Sequence, residues 1–240
     1  MIDIHCHYLP GLDDGPADMG ESIALLELAN NNGITEVILT PHIHLGIFDN
    51  NIERFLHAFN VFSETVTVYS IPIKLHLGAE VRVSPDIMPL IEQRLLPFIG
   101  CWYGSDVLLL EMPHSHVPKG IDNLVMWLAK RNVMTVIAHP ERNRELQRNP
   151  NLLNALIQKG CLFQLTASSL LGHFGDAARL FAHTLLEKEV FQFMASDAHS
   201  IKRRPPLLNE AAKLACLVSN ERYVEDLVLN NPKQLITLIN

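Results

Sequence analysis

The residues able to do chemistry recur as short motifs separated by long apolar stretches. Asp3-Ile4-His5-Cys6-His7 opens the chain, and Thr40-Pro41-His42, Gly78-Ala79-Glu80 and Leu110-Glu111 follow. Ala138-His139-Pro140-Glu141-Arg142 and Ser196-Asp197-Ala198-His199 complete the series. His5 and His7 flank a single residue, so on an extended strand both imidazoles point to one side and Cys6 to the other. Imidazole combined with carboxylate suits zinc, manganese or iron. The thiols of Cys6, Cys101, Cys161 and Cys216 are scattered, form no C-x-x-C pair and offer no soft-metal site. The candidate ligands outnumber the roughly four to six positions around one ion. Two or three ions are implied, with Glu80 a candidate bridge.

Elements that could bring these residues together are legible as alternating patterns. Strands are expected at Ile2–His5, Glu36–Thr40, Ile73–Leu77, Val107–Leu110, Met134–Ala138, Leu162–Leu165 and Phe191–Ala195. Helical spacing marks Gly20–Asn31, closed by Gly33, and Asn51–Tyr69, Gly120–Arg131, Asn151–Lys159 and Asp176–Glu187. From Pro205 onward the chain reads as helices only, with Pro232 opening a last short one. The alternation implies βαβ units and a mainly parallel sheet within one domain spanning residues 1–240. Six of the seven expected strands end in His, Asp or Glu. In a parallel α/β barrel such ends meet at one face, where active sites of that architecture lie. A lone histidine at a strand end is ordinarily structural; the repetition favours ligation. An unpaired buried carboxylate such as Glu80 or Glu111 would cost on the order of several kcal/mol, which a metal or a salt bridge relieves. Asp13-Asp14-Gly15-Pro16 is a turn by composition, and its closeness to His-x-His brings at least one aspartate towards the same site.

Bulk properties narrow the function classes. Of 240 residues, 48% are hydrophobic and 19% charged, which suits a closed core. The net charge of −7 argues against broad binding to nucleic acid or anionic membranes. An anionic substrate would therefore need the field reversed locally, as bound divalent cations do. With no signal-type N-terminus and no long apolar run, a cytoplasmic protein without membrane insertion is expected. Self-association is neither required nor excluded. His44, His114, His116 and His173 read as rim or surface residues, His44 being nearest to a ligand motif. Phe55, Phe59, Phe181 and Met194 read as core.

Read in order, these motifs resemble a known family. Asp3-Ile4-His5-Cys6-His7 with Leu9-Pro10-Gly11-Leu12-Asp13-Asp14-Gly15 is similar to the opening of the PHP (polymerase and histidinol phosphatase) superfamily. More narrowly it resembles the bacterial manganese-dependent protein-tyrosine phosphatases of the CpsB/YwqE type, linked to capsule and exopolysaccharide synthesis. The likeness continues through Thr40-Pro41-His42, Gly78-Ala79-Glu80-Val81, Leu110-Glu111-Met112-Pro113 and His139-Pro140-Glu141-Arg142-Asn143. It extends over Gln164-Leu165-Thr166-Ala167-Ser168-Ser169-Leu170, Phe174-Gly175 and Ser196-Asp197-Ala198-His199 to Arg204-Pro205-Pro206. The resemblance implies a distorted (β/α)7 TIM-like barrel with three divalent metals, manganese first and iron or zinc as alternatives. One metal would take His5, His7, Glu80 and Asp197; a second would share Glu80 and add Glu111 and His139. The third would take Asp14, His42 and His199, and Arg142 and Arg204 would bind phosphate. Cys6 departs from the family, which commonly carries Ser there. The implied substrate is a phosphotyrosine protein, namely the Tyr-rich tail of a bacterial tyrosine autokinase.

The residues suit that chemistry on their own terms. Divalent metals lower the pKa of bound water from about 16 towards 7, supplying hydroxide to attack phosphorus, and neutralise phosphoryl oxygens. Arginine forks donate paired hydrogen bonds to phosphate oxygens. A phenolate leaving group needs less protonation than an alkoxide, so a site without a strong general acid would favour aryl phosphates. The rival readings are a small-molecule phosphomonoesterase of histidinol-phosphate type and a catalytically silent metal-binding module that docks to a kinase. A nuclease is disfavoured because no basic track is visible.

Overall fold

Parallel strands alternating with helices form the frame, and the structure, a computed structural model, describes residues 1–237. The strands are β1 (Ile2–Cys6), β2 (Glu36–Leu39), β3 (His42–Ile43), β4 (Lys74–Leu77), β5 (Glu80–Arg82), β6 (Cys101–Trp102), β7 (Ser105–Glu111), β8 (Val133–Ala138), β9 (Leu162–Thr166) and β10 (Phe193–Ala195). The helices are α1 (Met19–Asn31), α2 (Ile52–Val68), α3 (Ile87–Glu92), α4 (Ile121–Ala129), α5 (Arg144–Arg148), α6 (Asn151–Gln158), α7 (Ala167–Leu170), α8 (Asp176–Glu187), α9 (Leu208–Val218), α10 (Glu221–Glu225) and α11 (Asn231–Ile236). Each expected strand and helix is present to within a few residues. The C-terminal region is helical as expected, its last three positions lying outside the described residues. None of these helices is long and apolar enough to cross a membrane.

Local chemistry sets the helix starts. The Asp18 side chain accepts from the Glu21 amide at the head of α1, while Glu21 reaches back to the Ala17 amide. Asn51 does the same for α2 through the Arg54 amide. Between α10 and α11 the helix widens to π geometry over Asp226–Asn230, which side-chain periodicity does not foretell.

The sheet differs from seven simple strands. One parallel sheet runs β1-β2-β4 and another β10-β9-β8-β7-β5-β3, with β6 antiparallel to β7. The chain leaves the first sheet at Thr40-Pro41 and re-enters the second as β3, and Gly78-Ala79 makes the same passage from β4 to β5. Proline has no amide hydrogen for the ladder, so a break at Pro41 is natural. At the far edges β1 meets the end of β10: Cys6 bridges Ala198, and the Asp197 amide donates to the His5 carbonyl at 2.8 Å.

The apolar residues divide by strand alternation. Leu108 and Leu110 face the helices, whereas Val107 and Leu109 join Ile2, Ile4, Ile38, Val136, Phe193 and Ala195 in a separate inner core. Leu235 and Ile236 of α11 close that core from below. Their approach requires Gly100, where a Cβ would lie 2.3 Å from the Leu235 carbonyl oxygen. Phe55, Phe181 and Met194 are core as expected, and Phe59 packs against it partly buried.

One buried carboxylate joins β1 to β10 below the site. Asp3 is fully buried and accepts from the Ser196 amide at 2.9 Å and from the Ser196 hydroxyl. Asp3→Ala would take the acceptor from three buried donors, the Ser196 amide and hydroxyl and the His5 amide, and is expected to lower the unfolding free energy by roughly 1–3 kcal/mol. Urea denaturation measures this, and an unchanged midpoint would show that the junction adds no net stability.

Candidate metal centre

The two strand breaks aim ligands at one point. His42 and Glu80 are the first residues of β3 and β5, and they are register partners across that pair. They are not loop residues beyond strand ends; each opens a short second strand. His5 and His7 occupy alternate positions at the end of β1, with their Nε2 atoms 3.2 Å apart. Cys6 points away, fully buried, its thiol donating to the Ile38 carbonyl at 3.4 Å. Asp197 and His199 follow β10 and are held beside β1 by the His7 amide bond to Ala198 at 2.9 Å. His139 (φ 34°) and Asp197 (φ 51°) adopt left-handed backbone, which costs non-glycine residues on the order of 1–3 kcal/mol. Both stand where the chain turns out of a strand into the mouth of the site.

The ligand atoms fall into three interlocking sets, each with all atoms within 4.8 Å of one another. The first is His5, His7, Glu80 and Asp197; the second His7, Asp14, His42 and His199; the third His42, Glu80 and Glu111. His139 contacts the other oxygen of Glu80 at 2.8 Å but does not belong to the set that contains Glu111. Glu111 is held at 2.9 Å by Arg82, its register partner on β5. His42 Nδ1, Asp197 Oδ1 and His199 Nε2 are buried without a hydrogen bond, although each has an opposing group within 3.1–3.4 Å. Close approach without alignment is what lone pairs directed at a common centre produce, so the donor set fits divalent cations.

The two aspartates of the turn have different tasks. Asp14 lies 3.4 Å from His42 and 3.2 Å from His199, in the ligand layer. Asp13 holds His7 Nδ1 at 2.7 Å and accepts from the His42 amide at 2.9 Å, orienting two ligands. Gln164 acts likewise on His5 Nδ1 at 2.9 Å. Such partners went unrecognised in the sequence because a glutamine in mid-strand and an aspartate in a turn have commoner uses. Gly15 permits the turn, since a Cβ there would lie 2.4 Å from the His7 carbonyl oxygen.

Both arginines reach the site. Arg142 donates to Asp197 Oδ2, lies 3.0 Å from His114 Nε2 and covers the Phe174 ring at 4.2 Å. Arg204 contacts the same Asp197 oxygen at 2.7 Å, and its Nε is buried without a partner. Ser200 Oγ and the His199 amide fold the intervening turn so that Arg204 faces inward while Arg203 remains exposed. Of the extra histidines, His116 and His173 are exposed. His44 is half-buried, and His114 belongs to the rim through Arg142.

Protons compensate the buried carboxylates in the metal-free chain. Burial opposes a charge on His5, but Glu80 and Asp197 outweigh it and raise its pKa to about 9. His42 is raised to about 10, burial again being overcome by Glu80 and Asp14. His139 is lowered to about 3 by burial and Arg142, and His199 to about 4 by burial and His7. The stability from His5 and His42 is complete below pH ~6.5 and is lost as pH rises through about 9 to 10. That from neutral His139 and His199 is complete above pH ~6.5 and is lost as pH falls through about 4 to 3. The metal-stripped protein is therefore expected to melt highest near pH ~6.5, and added manganese should abolish the alkaline decline while releasing protons. Thermal melts from pH ~4 to ~10 test this; a flat metal-free profile above neutrality would contradict it. Gly15→Ala should weaken metal binding roughly 10–100-fold with the fold retained, as read by calorimetric metal titration beside circular dichroism.

Known proteins resemble this chain in sequence and fold. Residues 1–237 match the family described as capsular polysaccharide synthesis, CpsB/CapC. Tyrosine-protein phosphatase YwqE of Bacillus subtilis is 38% identical over 204 residues, covering 85% of this chain and 79% of the relative. The putative tyrosine-protein phosphatase CapC of Staphylococcus aureus is 34% identical over 239 residues, 97% of this chain and 92% of the relative. A crystal structure from work on YwqE from Bacillus subtilis and CpsB from Streptococcus pneumoniae, described as unique metal-dependent tyrosine phosphatases, has TM-score 0.89 at 34% identity, covering 99% of this chain and 94% of that one. An organophosphorus hydrolase from Deinococcus radiodurans has TM-score 0.58 at 14% identity over 98% of this chain and 92% of its own, a likeness of fold alone. The chain belongs to the CpsB/CapC family of capsular polysaccharide synthesis.

Proposed function

We propose that this protein is a metal-dependent protein-tyrosine phosphatase. The observation that carries the reading is the set of interlocking His and carboxylate ligands with two arginines turned onto the same carboxylate, Asp197. The named activity of its relatives supports it. Three divalent ions, manganese with iron or zinc as alternatives, would be held by His5, His7, Glu80 and Asp197, by Asp14, His42 and His199, and by Glu80, Glu111 and His139. His42 lies closer to Glu111 than that grouping assumes, so it is a further candidate for the last ion. The two sheets are best read as one distorted (β/α)7 barrel in a single domain, supported by the β1–β10 bonds and the shared inner core.

When bound, such ions activate water and offset phosphoryl charge. The chain itself supplies the grip on phosphate. Arg142 and Arg204 both lie near the Phe174 ring and meet at Asp197 Oδ2, and the unpartnered Nε of Arg204 is a donor available to a phosphoryl oxygen. His114, at the edge of the site and lowered to about 4 by partial burial and by Arg142, is neutral near pH ~7 and is a poor proton donor to the leaving group. Phenolate leaves without that help more readily than an alkoxide, which favours tyrosine phosphate over serine phosphate.

The rim is open, with Asp14 and His114 exposed, which suits a peptide better than an enclosed metabolite. The partner that the family resemblance implies is the Tyr-rich tail of a tyrosine autokinase, met in the cytoplasm; the family's description as capsular polysaccharide synthesis is in keeping with that reading. Manganese added to metal-stripped protein is expected to restore hydrolysis of phosphotyrosine peptides well above phosphoserine peptides and histidinol phosphate. Preference for histidinol phosphate would move the protein to the metabolite branch, and inactivity on all three would favour a silent docking module. Arg204→Ala should lower kcat on the order of 10²–10³-fold with metal content unchanged, as steady-state kinetics and metal analysis would read.

A further inference from the structure

Beside the metal centre lies a cavity of about 650 Å³ that the phosphate-binding pair does not fill. Arg142 and Phe174 form the wall it shares with the centre, and Arg144, Gln147 and Arg148 of α5 line its far side. Arg144 and Arg148 are four residues apart, on one face of the helix, and both are exposed. Arg82 pairs with Glu111, and Arg142 and Arg204 with Asp197, whereas Arg144 and Arg148 have no carboxylate partner among the described residues. The neighbouring acids are engaged elsewhere. Glu145 accepts from the Val117 amide at 2.7 Å, and Asp176 pairs with Arg179 at 3.0 Å. A cationic recess thus persists in a chain of net charge −7.

The recess is built on a rigid base. Asn143 is buried and accepts from the Glu145 and Leu146 amides, both at 3.0 Å, starting α5. Its amide nitrogen donates to the Pro113 and His116 carbonyls at 2.7 and 2.9 Å, and the Arg144 amide donates to the His114 carbonyl at 2.8 Å. Gln147 is tied to the Glu141 carbonyl at 2.8 Å. The helix bearing the two free arginines is therefore fixed to the loop of His114 and to the turn of Arg142. Ala177 and Ala178 of α8 form the opposite wall, where small side chains leave room for an incoming group.

We propose that this recess is an anion subsite, in which Arg144 and Arg148 hold a negatively charged side chain flanking the phosphotyrosine on the same peptide. The proposal rests on the phosphatase reading and specifies the substrate: a phosphotyrosine in acidic surroundings, or one beside a second phosphotyrosine. Carboxylate and phosphate share the chemistry that paired guanidinium groups recognise. Free amino acid phosphates and other small aryl phosphates do not reach the recess.

The test uses full-length manganese-loaded protein and p-nitrophenyl phosphate with three phosphotyrosine peptides, one neutral, one with flanking Asp and Glu, and one doubly phosphorylated. Arg144→Gln combined with Arg148→Gln is expected to lower kcat/KM for the acidic and doubly phosphorylated peptides by about three- to tenfold, through KM. The neutral peptide and p-nitrophenyl phosphate should be unaffected. A loss confined to the doubly phosphorylated peptide would identify phosphate as the flanking group. Arg148→Glu should reverse the charge preference. Equal losses on all four substrates, or none, would overturn the subsite. Binding of the corresponding non-hydrolysable phosphonate peptides, followed by fluorescence anisotropy, separates the two claims. If the wild type hydrolyses nothing, the phosphatase reading fails, while selective loss of acidic-peptide binding in the double variant still upholds the subsite.

Discussion

The structure is organised around Glu80, a carboxylate only 1% exposed at the centre of the ligand cluster. It contacts His5, His7 and His42 through one oxygen and His139 through the other, all at 2.8–3.4 Å. Asp197, equally buried, lies within 3.6 Å of His5, His7 and both arginines. Two such charges cannot remain in an apolar interior uncompensated, because desolvation costs far more than folding can offset. The positive charge must come from protons on imidazole or from metal ions, and the two compete for the same nitrogen lone pairs. Displacement of strongly held protons by metals is the link between fold stability and the chemistry of the site.

Holding so many like-charged groups at short range demands a backbone that does not yield. Parallel strands supply it, since their ends share one direction and their registers are fixed by ladders of hydrogen bonds. The two strand breaks refine this geometry. By leaving one sheet and re-entering the other, the chain places His42 opposite Glu80 in register, which two uninterrupted strands would not achieve. The left-handed conformations of His139 and Asp197 serve the same end at a local energetic cost. Asp3, Asp13 and Gln164 never enter the ligand layer, yet each fixes a backbone beside it or an imidazole within it.

What the sequence disclosed follows from what is periodic or repeated. Strand and helix positions emerged from apolar spacing, and the site emerged because His, Asp and Glu recur where apolar runs end. The choice between Asp13 and Asp14 was invisible to composition, since both occupy the same turn; the resemblance to a family indicated Asp14, and only geometry shows that Asp13 orients His7. Arg204 and Arg203 were likewise equivalent by type, and it is the Ser200 turn that selects one. The breaks at Thr40-Pro41 and Gly78-Ala79 were read as strand ends because short-range pattern does not reveal which sheet the next residues join. The π segment at Asp226–Asn230 leaves no periodic trace, because a widening confined to five residues is too short to shift the apolar spacing around it.

A division of labour follows from exposure. The ligand cluster is almost wholly buried, so its chemistry is dictated by metals and phosphate and can say little about the rest of a substrate. Selectivity would then fall to solvated side chains outside the ligand layer, such as His114 and, in the proposed subsite, the arginines of α5. Such groups contribute modestly one at a time, since water screens them. They act without disturbing the buried charge balance, which a substitution among the ligands would upset at once. A scaffold of this kind can change the peptide it prefers by altering its rim while the metal layer, constrained by Glu80 and Asp197, stays as it is.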